Sequence, residues 1–185
     1  MNETLNSIFT RYSCRKFTDK LPCDKDLQTI AKAAVAAPSG MDRQLWQVIL
    51  LKNQELMSEM ETEGLDLMKS MPDKSLFERI QSRGGKLFYN ASCMMIVAIK
   101  SATPPGAELF DCGILAENVC LAATSLGIQS CMCGFTAFCF AGNKRDEFKK
   151  TLGFAEGFEI GILLGYADMQ GKPHELDLAK ISLIK

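Results

Sequence analysis

The chain carries the stretch RYSCRKF at residues 11–17, directly after a short segment with apolar residues at helical spacing. Arg11 and Arg15 stand four residues apart, with the Ser13 hydroxyl between them. A guanidinium can bind two phosphate oxygens through parallel N–H bonds, and a serine hydroxyl adds a further donor. The stretch is therefore a candidate phosphate-binding segment. By its charge alone it is more simply a solvated helix end, where basic side chains complement the helix dipole.

A second polar stretch, AAPSGMDRQLW, occupies residues 36–46. The residues before it, Leu27 to Val35, place apolar side chains at helical spacing, and Leu45 to Leu51 is predicted as a buried strand. A polar turn between a buried helix and a buried strand is a frequent position for a binding loop. Taken alone, this turn is more simply an ordinary connector, with Trp46 as a core residue.

Hydrophobic periodicity also predicts the other elements of the fold. Further helices are expected over residues 5–12, 53–70, 111–126 and 143–152, and further strands over residues 93–100, 130–135, 158–166 and 181–184. The helix at 111–126 is apolar almost all round, which is typical of a helix that is central or packed between subunits. The uneven order of strands and helices favours a single α+β domain over residues 1–185.

Composition excludes several classes of partner. With 21 basic and 22 acidic residues, the net charge of −1 indicates no nucleic-acid or anionic-membrane surface. The N-terminus lacks the order of a signal peptide, and the longest apolar runs are too short for a bilayer, so a cytoplasmic location is expected. The chain has eight cysteines without a C-x-x-C pair and a single histidine, which argues against a disulfide framework or a zinc site as the basis of the fold. Cys131-Met132-Cys133 stays open as a metal or redox pair.

In this order and at this spacing, the two polar stretches resemble the nitroreductase family of FMN enzymes. The family segment R-x-S-x-[RK]-x-F is filled by Arg11, Ser13, Arg15 and Phe17. The family segment A-P-S-x-x-N-x-Q-P-W is filled by Ala37, Pro38, Ser39, Gln44 and Trp46. The resemblance continues through 88–92 before a strand, 111–128 in a central helix, 131–134 beside the flavin and 161–166 in a late strand.

Three positions depart from the family pattern. Asp42 replaces the usual Asn, Leu45 replaces a Pro, and Ser92 replaces another Pro. Asp42 matters most, because a carboxylate close to the flavin would disfavour the anionic reduced form by like-charge repulsion. A protonated Asp42, an ion pair with Arg43, or a side chain turned away from the flavin are the alternatives.

The resemblance implies a role for each residue of the cofactor site. Residues of the first stretch (Arg11, Tyr12, Ser13 and Arg15) would hold the FMN phosphate and ribityl chain, and residues of the second (Pro38, Ser39, Gly40 and Asp42) would reach the flavin of the partner subunit. Lys86 is a candidate for the pyrimidine side of the flavin or is simply a solvent-facing lysine. Backbone donors around Cys133 and Gly134 would approach the flavin N5 atom. Lys172 or His174 would replace the family's C-terminal basic pair.

The function that the resemblance implies is an FMN-dependent oxidoreductase. It would pass electrons from NADH or NADPH to small acceptors such as nitroaromatics, quinones or flavins, with ping-pong kinetics. No catalytic side chain is expected, because the flavin carries the chemistry. The implied fold is a central mixed, mainly antiparallel sheet flanked by helices, in an intertwined homodimer with flavin sites at the subunit interface. A flavin-binding redox sensor that uses Cys131 and Cys133, a dehalogenase-like relative with another electron donor, and a domain without cofactor are the alternatives.

Overall fold

The structure, a computed structural model, describes residues 1–100, 107–154 and 156–184. Its helices are α1 (Glu3–Thr10), α2 (Asp24–Val35), α3 (Gln54–Ser70), α4 (Ser75–Gln81), α5 (Ala107–Ser125), α6 (Thr136–Cys139) and α7 (Arg145–Leu152). Its strands are β1 (Trp46–Leu51), β2 (Cys93–Ile99), β3 (Gln129–Cys133) and β4 (Phe158–Gly165). The helices and strands predicted from periodicity are thereby confirmed, with the exception of the one at 181–184.

The four strands form one sheet in the order β1-β2-β4-β3, and each neighbouring pair is antiparallel. The expected α+β architecture with helices around the sheet is confirmed. The expected parallel component is confined, among the described residues, to a single bridge between Ser13 and Ser130. The sheet proper is therefore antiparallel rather than mixed.

Strand β2 lies at the centre of the core, because both of its faces are covered. Successive side chains of a strand point to opposite faces. Met94 and Ile96 lie in a core with α3, α6 and α7, whereas Met95 and Val97 lie in a second core with α2 and α5. Each fully buried side chain of this size contributes about 1.5–3 kcal/mol relative to an exposed one. Burial on both faces also explains why the β2 sequence is an uninterrupted apolar run.

The strand expected at residues 181–184 is wrong. These residues follow a short 3₁₀ turn, Leu178–Lys180, and have no strand assignment. Ile181, Leu183 and Ile184 are 72%, 80% and 93% exposed. An apolar run indicates that its residues pack against another apolar surface. It does not show that a sheet edge is available with which the run can pair as a strand. Within one chain this segment has no such partner among the described residues.

Cysteine burial gives the core a pH-dependent stability. Seven of the eight cysteines are buried, and only Cys23 is exposed. Burial raises the pKa of Cys93 and Cys131 to about 12 and that of Cys120 to about 11. The core therefore holds neutral thiols at pH 7.

We expect the free energy of unfolding to fall as the pH rises above about 9. Thiols of the unfolded chain ionise near a pKa of about 8.5, so above that pH the unfolded state releases protons that the folded state still binds. Each such thiol then removes up to about 1.4 kcal/mol per pH unit until its folded pKa is reached. Urea unfolding in the presence of reductant, at pH 7.5 and at pH 10, measures the change.

The matched control is Cys120→Ala, which lowers stability at both pH values but has one fewer titrating thiol. Its urea midpoint is expected to decline less steeply with pH than that of the wild type. Equal midpoints for the wild type at pH 7.5 and pH 10 would contradict the assignment.

Candidate functional site

A cavity of about 470 Å³ lies where the 11–17 stretch, the end of α4, the turn before β2 and the end of β3 meet. This volume is within the range of about 300–1,000 Å³ that is typical of small-molecule and cofactor sites. Its lining contains four cationic or aromatic groups from three segments (Arg15, Arg79, Arg83 and Tyr89) and the continuous run 131–135 with Phe138. Arg15, Cys133 and Gly134 are the candidate residues from the sequence that line it.

A second cavity of about 460 Å³ is lined by Phe17, Asp19, Leu21, Lys52, Gln54, Asn90 and Ser92. It contains none of the thirteen cofactor-site candidates from the sequence, so the first cavity is the candidate functional site.

Backbone pairing positions Arg15 at the cavity. The Cys14 N–H donates to the Ser130 carbonyl at 2.9 Å, and the Thr18 N–H donates to the Tyr166 carbonyl at 2.8 Å. The segment is thereby held between the start of β3 and the residues that follow β4. The Arg15 guanidinium contacts the Ser13 carbonyl at 3.5 Å and extends to the cavity.

Arg11 does not line the cavity of its own chain. Its Nε lies 3.0 Å from Oε1 of Glu117 on α5, and its side chain is 22% exposed. Ser13 forms the parallel bridge with Ser130. Of the two arginines expected at the phosphate, the structure therefore brings one to the cavity and pairs the other with a carboxylate.

Tyr12 links this stretch to the C-terminal candidates. The Tyr12 ring packs so closely on Gly171 that a Cβ at position 171 would overlap it. Burial is the main cause that raises the pKa of Tyr12. Lys172 follows Gly171 directly and so lies beside the 11–17 stretch, whereas His174 is two residues further along, and both are exposed.

The end of β3 supplies the floor of the cavity. Thr136 Oγ1 donates to the Cys133 carbonyl at 2.7 Å. Gly161, paired with Cys133 in the sheet, lets Thr136 approach, because a Cβ at Gly161 would overlap the Thr136 side chain. This packing fixes the turn at Gly134 against the sheet. Burial is the main cause that raises the pKa of Cys133, as it does for Cys131, so both thiols are neutral at pH 7.

Tyr89 enters the cavity from a strained turn. Tyr89 and Asn90 have φ values of +51° and +60°, and the Ala91 N–H donates to the Phe88 carbonyl at 2.8 Å. Asn tolerates this left-handed conformation, but a bulky residue such as Tyr adopts it rarely, at a cost of about 1–3 kcal/mol. Burial raises the pKa of Tyr89, and the nearby Arg15 and Arg83 oppose that rise. The hydroxyl therefore lies within the field of two guanidiniums.

Arg79 and Arg83 are lining residues that the sequence analysis missed. Arg79 is in the last turn of α4 and Arg83 follows four residues later, so the helical turn brings both to one side. Across the part of the chain that the structure describes, no carboxylate lies within ion-pair distance of Arg15, Arg79 or Arg83. The signal for these residues in the sequence was a pair of arginines four residues apart, directly before Gly84-Gly85.

Lys86 has a partner outside the cavity lining. Its Nζ lies 3.3 Å from Oε2 of Glu61, and Oε1 of Glu61 accepts the Phe88 N–H at 2.8 Å. Glu61 is only 9% exposed. A buried carboxylate needs such donors, because an unpaired buried charge is costly. The structure thus gives Lys86 a role at Glu61.

The loop at residues 38–44 lies on the α2 and α5 side of the sheet. The Gly40 N–H donates to Oδ1 of Asp111 at 3.1 Å, and the Ser39 hydroxyl accepts the Gln44 N–H at 3.0 Å. Oδ1 of Asp42 accepts from the Gln44 side-chain amide at 2.7 Å, whereas Arg43 donates to the Gly40 carbonyl. The expected alternative of an Asp42–Arg43 pair is therefore not what the loop forms.

The same loop is strained and exposed. Met41, Asp42 and Gln44 have φ values of +55°, +53° and +47°. Pro38 and Asp42 are exposed, and Met41 is 83% exposed. None of residues 38–44 is among the residues that line the cavity in the same chain.

Comparison with known proteins assigns the chain to a family. The model of the Nitroreductase family matches residues 8–166. The chain belongs to the nitroreductase family. This assignment confirms the resemblance that the two polar stretches indicated.

Three relatives illustrate the match. A nitroreductase structure with bound FMN from Desulfitobacterium hafniense has 52% identity and a TM-score of 0.95 over 100% of both chains. Another with bound FMN, from Bacteroides fragilis, has 28% identity and a TM-score of 0.88, again over 100% of both chains. A protein of Archaeoglobus fulgidus, provisionally named NADH dehydrogenase/NAD(P)H nitroreductase, is 32% identical over 182 residues, which cover 96% of this chain and 92% of that protein.

This nitroreductase-family chain leaves several apolar surfaces uncovered. On α1, Leu5, Ile8 and Phe9 are 43%, 42% and 44% exposed, although they form the apolar face of the helix. At the start of α5, Leu109 and Phe110 are 64% and 73% exposed. Contiguous exposed apolar residues of this kind mark interaction surfaces.

Neither a membrane helix nor a metal cluster is found in this family member, as far as the structure describes it. No described helix combines the length and apolarity needed to cross a bilayer. Within the described ranges, no three His, Cys, Asp or Glu side chains are grouped as metal ligands.

Proposed function

We propose that this chain is an FMN-dependent oxidoreductase that takes electrons from NADH or NADPH and passes them to small acceptors such as nitroaromatics, quinones or flavins. The observation that carries the proposal is the cavity with three guanidiniums, an aromatic hydroxyl and the end of β3 on its surface. The FMN-bound structures from D. hafniense and B. fragilis support it. FMN, when bound, would supply the two-electron chemistry.

The donors in the cavity fit the charge of FMN. A phosphate dianion suits guanidiniums, which bind its oxygens in pairs. Cationic groups also favour the negative charge that a flavin gains on reduction. Cys131 and Cys133 add no opposing charge, because their raised pKa values keep them neutral. The residues that line the cavity therefore fit FMN.

We assign the phosphate and ribityl chain to the first stretch and its C-terminal neighbour. Arg15 and Ser13 would bind them directly, with Tyr12 and Lys172 beside them and His174 further along the same segment. Arg11 would join only by sharing its guanidinium between the phosphate and Glu117, since Nε already lies 3.0 Å from that carboxylate. Lys86 would likewise interact both with the pyrimidine side of the flavin and with Glu61.

The end of β3 would contact the ring system. Cys133 and Gly134 border the cavity, and the Thr136 hydroxyl donates to the Cys133 carbonyl. We propose that the opposite face of the flavin stays accessible from the mouth of the cavity. Donor and acceptor would occupy that open face in turn, which gives ping-pong kinetics.

We propose that the functional unit is an intertwined homodimer. The exposed apolar faces of α1 and α5 and the exposed C-terminal residues (Leu176, Leu178, Ile181, Leu183 and Ile184) support it, because together they would bury an interface of the obligate, hydrophobic kind. In this arrangement Pro38, Ser39, Gly40 and Asp42 of one subunit would reach the cavity of the other.

The neutral thiols argue against the redox-sensor alternative. The thiolate is the reactive form of cysteine, and sensor cysteines are exposed with lowered pKa values. Cys131 and Cys133 are 4% and 3% exposed, and burial raises the pKa of each. They therefore serve as packed apolar groups in the floor of the cavity.

We expect the purified protein to carry flavin absorption that NADH or NADPH bleaches under anaerobic conditions. Addition of a quinone or a nitroarene should restore the bands, because the acceptor takes the same two electrons. An anaerobic spectral titration measures both steps. Flavin bands that neither nicotinamide bleaches would rule out the proposed donor, and no flavin after incubation with FMN would rule out the cofactor.

Arg11→Ala combined with Arg15→Ala is expected to lose most of its FMN during purification. The charge-assisted contact of Arg15 to phosphate contributes about 1.5–3 kcal/mol, and Arg11 adds less because it is shared with Glu117, so the double variant should bind FMN at least about tenfold more weakly. Fluorescence titration of the apoprotein with FMN measures the dissociation constant. The matched control, Lys25→Ala with Arg145→Ala, removes the same charge from exposed positions on α2 and α7. Unchanged FMN affinity in the first variant would show that the stretch does not bind the phosphate.

Ile8→Asp is expected to dissociate the homodimer, because it places a carboxylate in an apolar contact. Sedimentation velocity should give twice the 20.4 kDa chain mass for the wild type and a single chain for the variant. Thr151→Asp, on the exposed side of α7, is the control and should stay dimeric. A monomeric wild type would contradict the dimer, and unchanged circular dichroism of Ile8→Asp would show that the fold is retained.

A further inference from the structure

The cavity carries more cationic charge than the phosphate-binding stretch accounts for. Arg79 and Arg83 come from α4 and its following turn, far in the sequence from residues 11–17. The proposed phosphate donors already include Arg15, Ser13 and the C-terminal segment beside Tyr12. Two guanidiniums at the cavity are thus left without an assigned partner.

This charge is not balanced locally. The chain has 22 acidic residues for 21 basic ones, yet no described carboxylate lies within ion-pair distance of Arg79 or Arg83. By contrast, Lys86 in the same loop is paired with Glu61. Like charges around a concave surface repel each other and focus a positive potential into it.

The helix dipole explains only part of the arrangement. Cations near the last turn of a helix are favourable, which applies to Arg79 and Arg83 at the end of α4. That effect does not bring them to the same cavity as Arg15, which backbone pairing holds from another part of the chain. Arg15 and Arg83 lie close enough to the Tyr89 hydroxyl for both to lower its pKa, against the larger effect of burial.

We propose that Arg79 and Arg83 make this cavity select anionic substrates, by pairing with a carboxylate or phosphate on the molecule that exchanges beside the flavin. The inference rests on the proposed FMN oxidoreductase function and names its substrate class. A guanidinium offers a planar pair of donors that matches a carboxylate, so aromatic acceptors with a carboxylate are the preferred class. The additional phosphate of NADPH has the same chemistry and is the other source of the anion.

The test compares 4-nitrobenzoate with 4-nitrobenzamide as acceptors for the holoenzyme, with NADH as the donor. The two acceptors share shape and nitro group, but only the first is an anion. The variant is Arg79→Gln with Arg83→Gln, and Arg145→Gln on α7 is the control for loss of a surface charge. We expect the double variant to lower kcat/KM for 4-nitrobenzoate about tenfold and that for 4-nitrobenzamide less than twofold, since exposed charge pairs are individually weak. Arg145→Gln should change neither.

A second arm identifies the source of the anion. With 4-nitrobenzamide as acceptor, kcat/KM for NADPH is compared with that for NADH in each variant. A loss confined to 4-nitrobenzoate assigns the arginines to the acceptor, and a loss confined to NADPH assigns them to the donor phosphate. Either result supports selection of an anion at this position.

Binding without turnover gives a separate readout. Isothermal titration calorimetry of the oxidised holoenzyme with benzoate should show about tenfold weaker binding in the double variant, whereas benzamide binding should not change. Arg79→Lys with Arg83→Lys should restore part of the benzoate affinity, because the charge is kept but the planar pair of donors is lost. The benzoate affinity of the wild type should also decline with added salt, as expected for exposed charges.

Two outcomes would overturn the inference. Equal losses for both acceptors and both donors would show that the arginines act on the flavin or on the fold. Unchanged kinetics and benzoate binding would show that they bind no substrate anion. Failure of the proposed function is recognised separately, because the wild type would then lack flavin or turn over neither acceptor.

Discussion

The site depends on the backbone pairing that holds residues 13–18 between β3 and the residues after β4. Cys14 bonds to Ser130 on one side, and Thr18 bonds to Tyr166 on the other. Buried N–H and C=O groups must be paired, so these bonds fix the position of the segment as firmly as a strand of the sheet. Because Arg15 and the cavity floor at Cys131 and Cys133 are joined to the same β3 strand, their relative position follows from sheet geometry and does not depend on a flexible loop.

Double-sided burial of β2 explains how such a short chain supports this site. With one core against α2 and α5 and another against α3 and α6, the sheet is covered on both faces. The cavity lies beside the core against α3 and α6, so its floor at Cys131 and Cys133 is packed on buried side chains. The exposed apolar faces of α1 and α5 show that one chain does not cover all of its apolar surface, which is the physical reason for expecting a second copy.

The sequence predicted the elements of the fold closely and identified part of the lining of the cavity. Strands β1, β2 and β4 were recognisable because burial makes their sequences apolar, and family spacing located Arg15, Cys133 and Gly134. The segment at 181–184 was misread because an apolar run does not specify its partner. Contacts between distant residues carry no local pattern, so the Arg11–Glu117 and Lys86–Glu61 pairs could not be found from spacing.

The positions of Tyr89, Arg79 and Arg83 in the cavity could not be predicted from the sequence either. Tyr89 reaches it from a left-handed turn that its residue type disfavours, so propensity argues against its actual conformation. The two arginines become functional candidates only when α4 is placed beside β3. Periodicity of a seven-residue helix is too short to predict that placement.

The cavity arginines also change the argument about Asp42. From the sequence alone, a carboxylate in place of the family asparagine should oppose the reduced flavin anion. In the proposed dimer this carboxylate would enter a cavity that already holds Arg15, Arg79 and Arg83. Two unit charges 4 Å apart interact by about 4 kcal/mol at an effective dielectric constant of 20, so each guanidinium at that distance can offset one carboxylate. Since Arg15 is assigned to the FMN phosphate, two guanidiniums, Arg79 and Arg83, remain to offset this one carboxylate. The departure from the family asparagine is therefore compatible with the anionic reduced flavin.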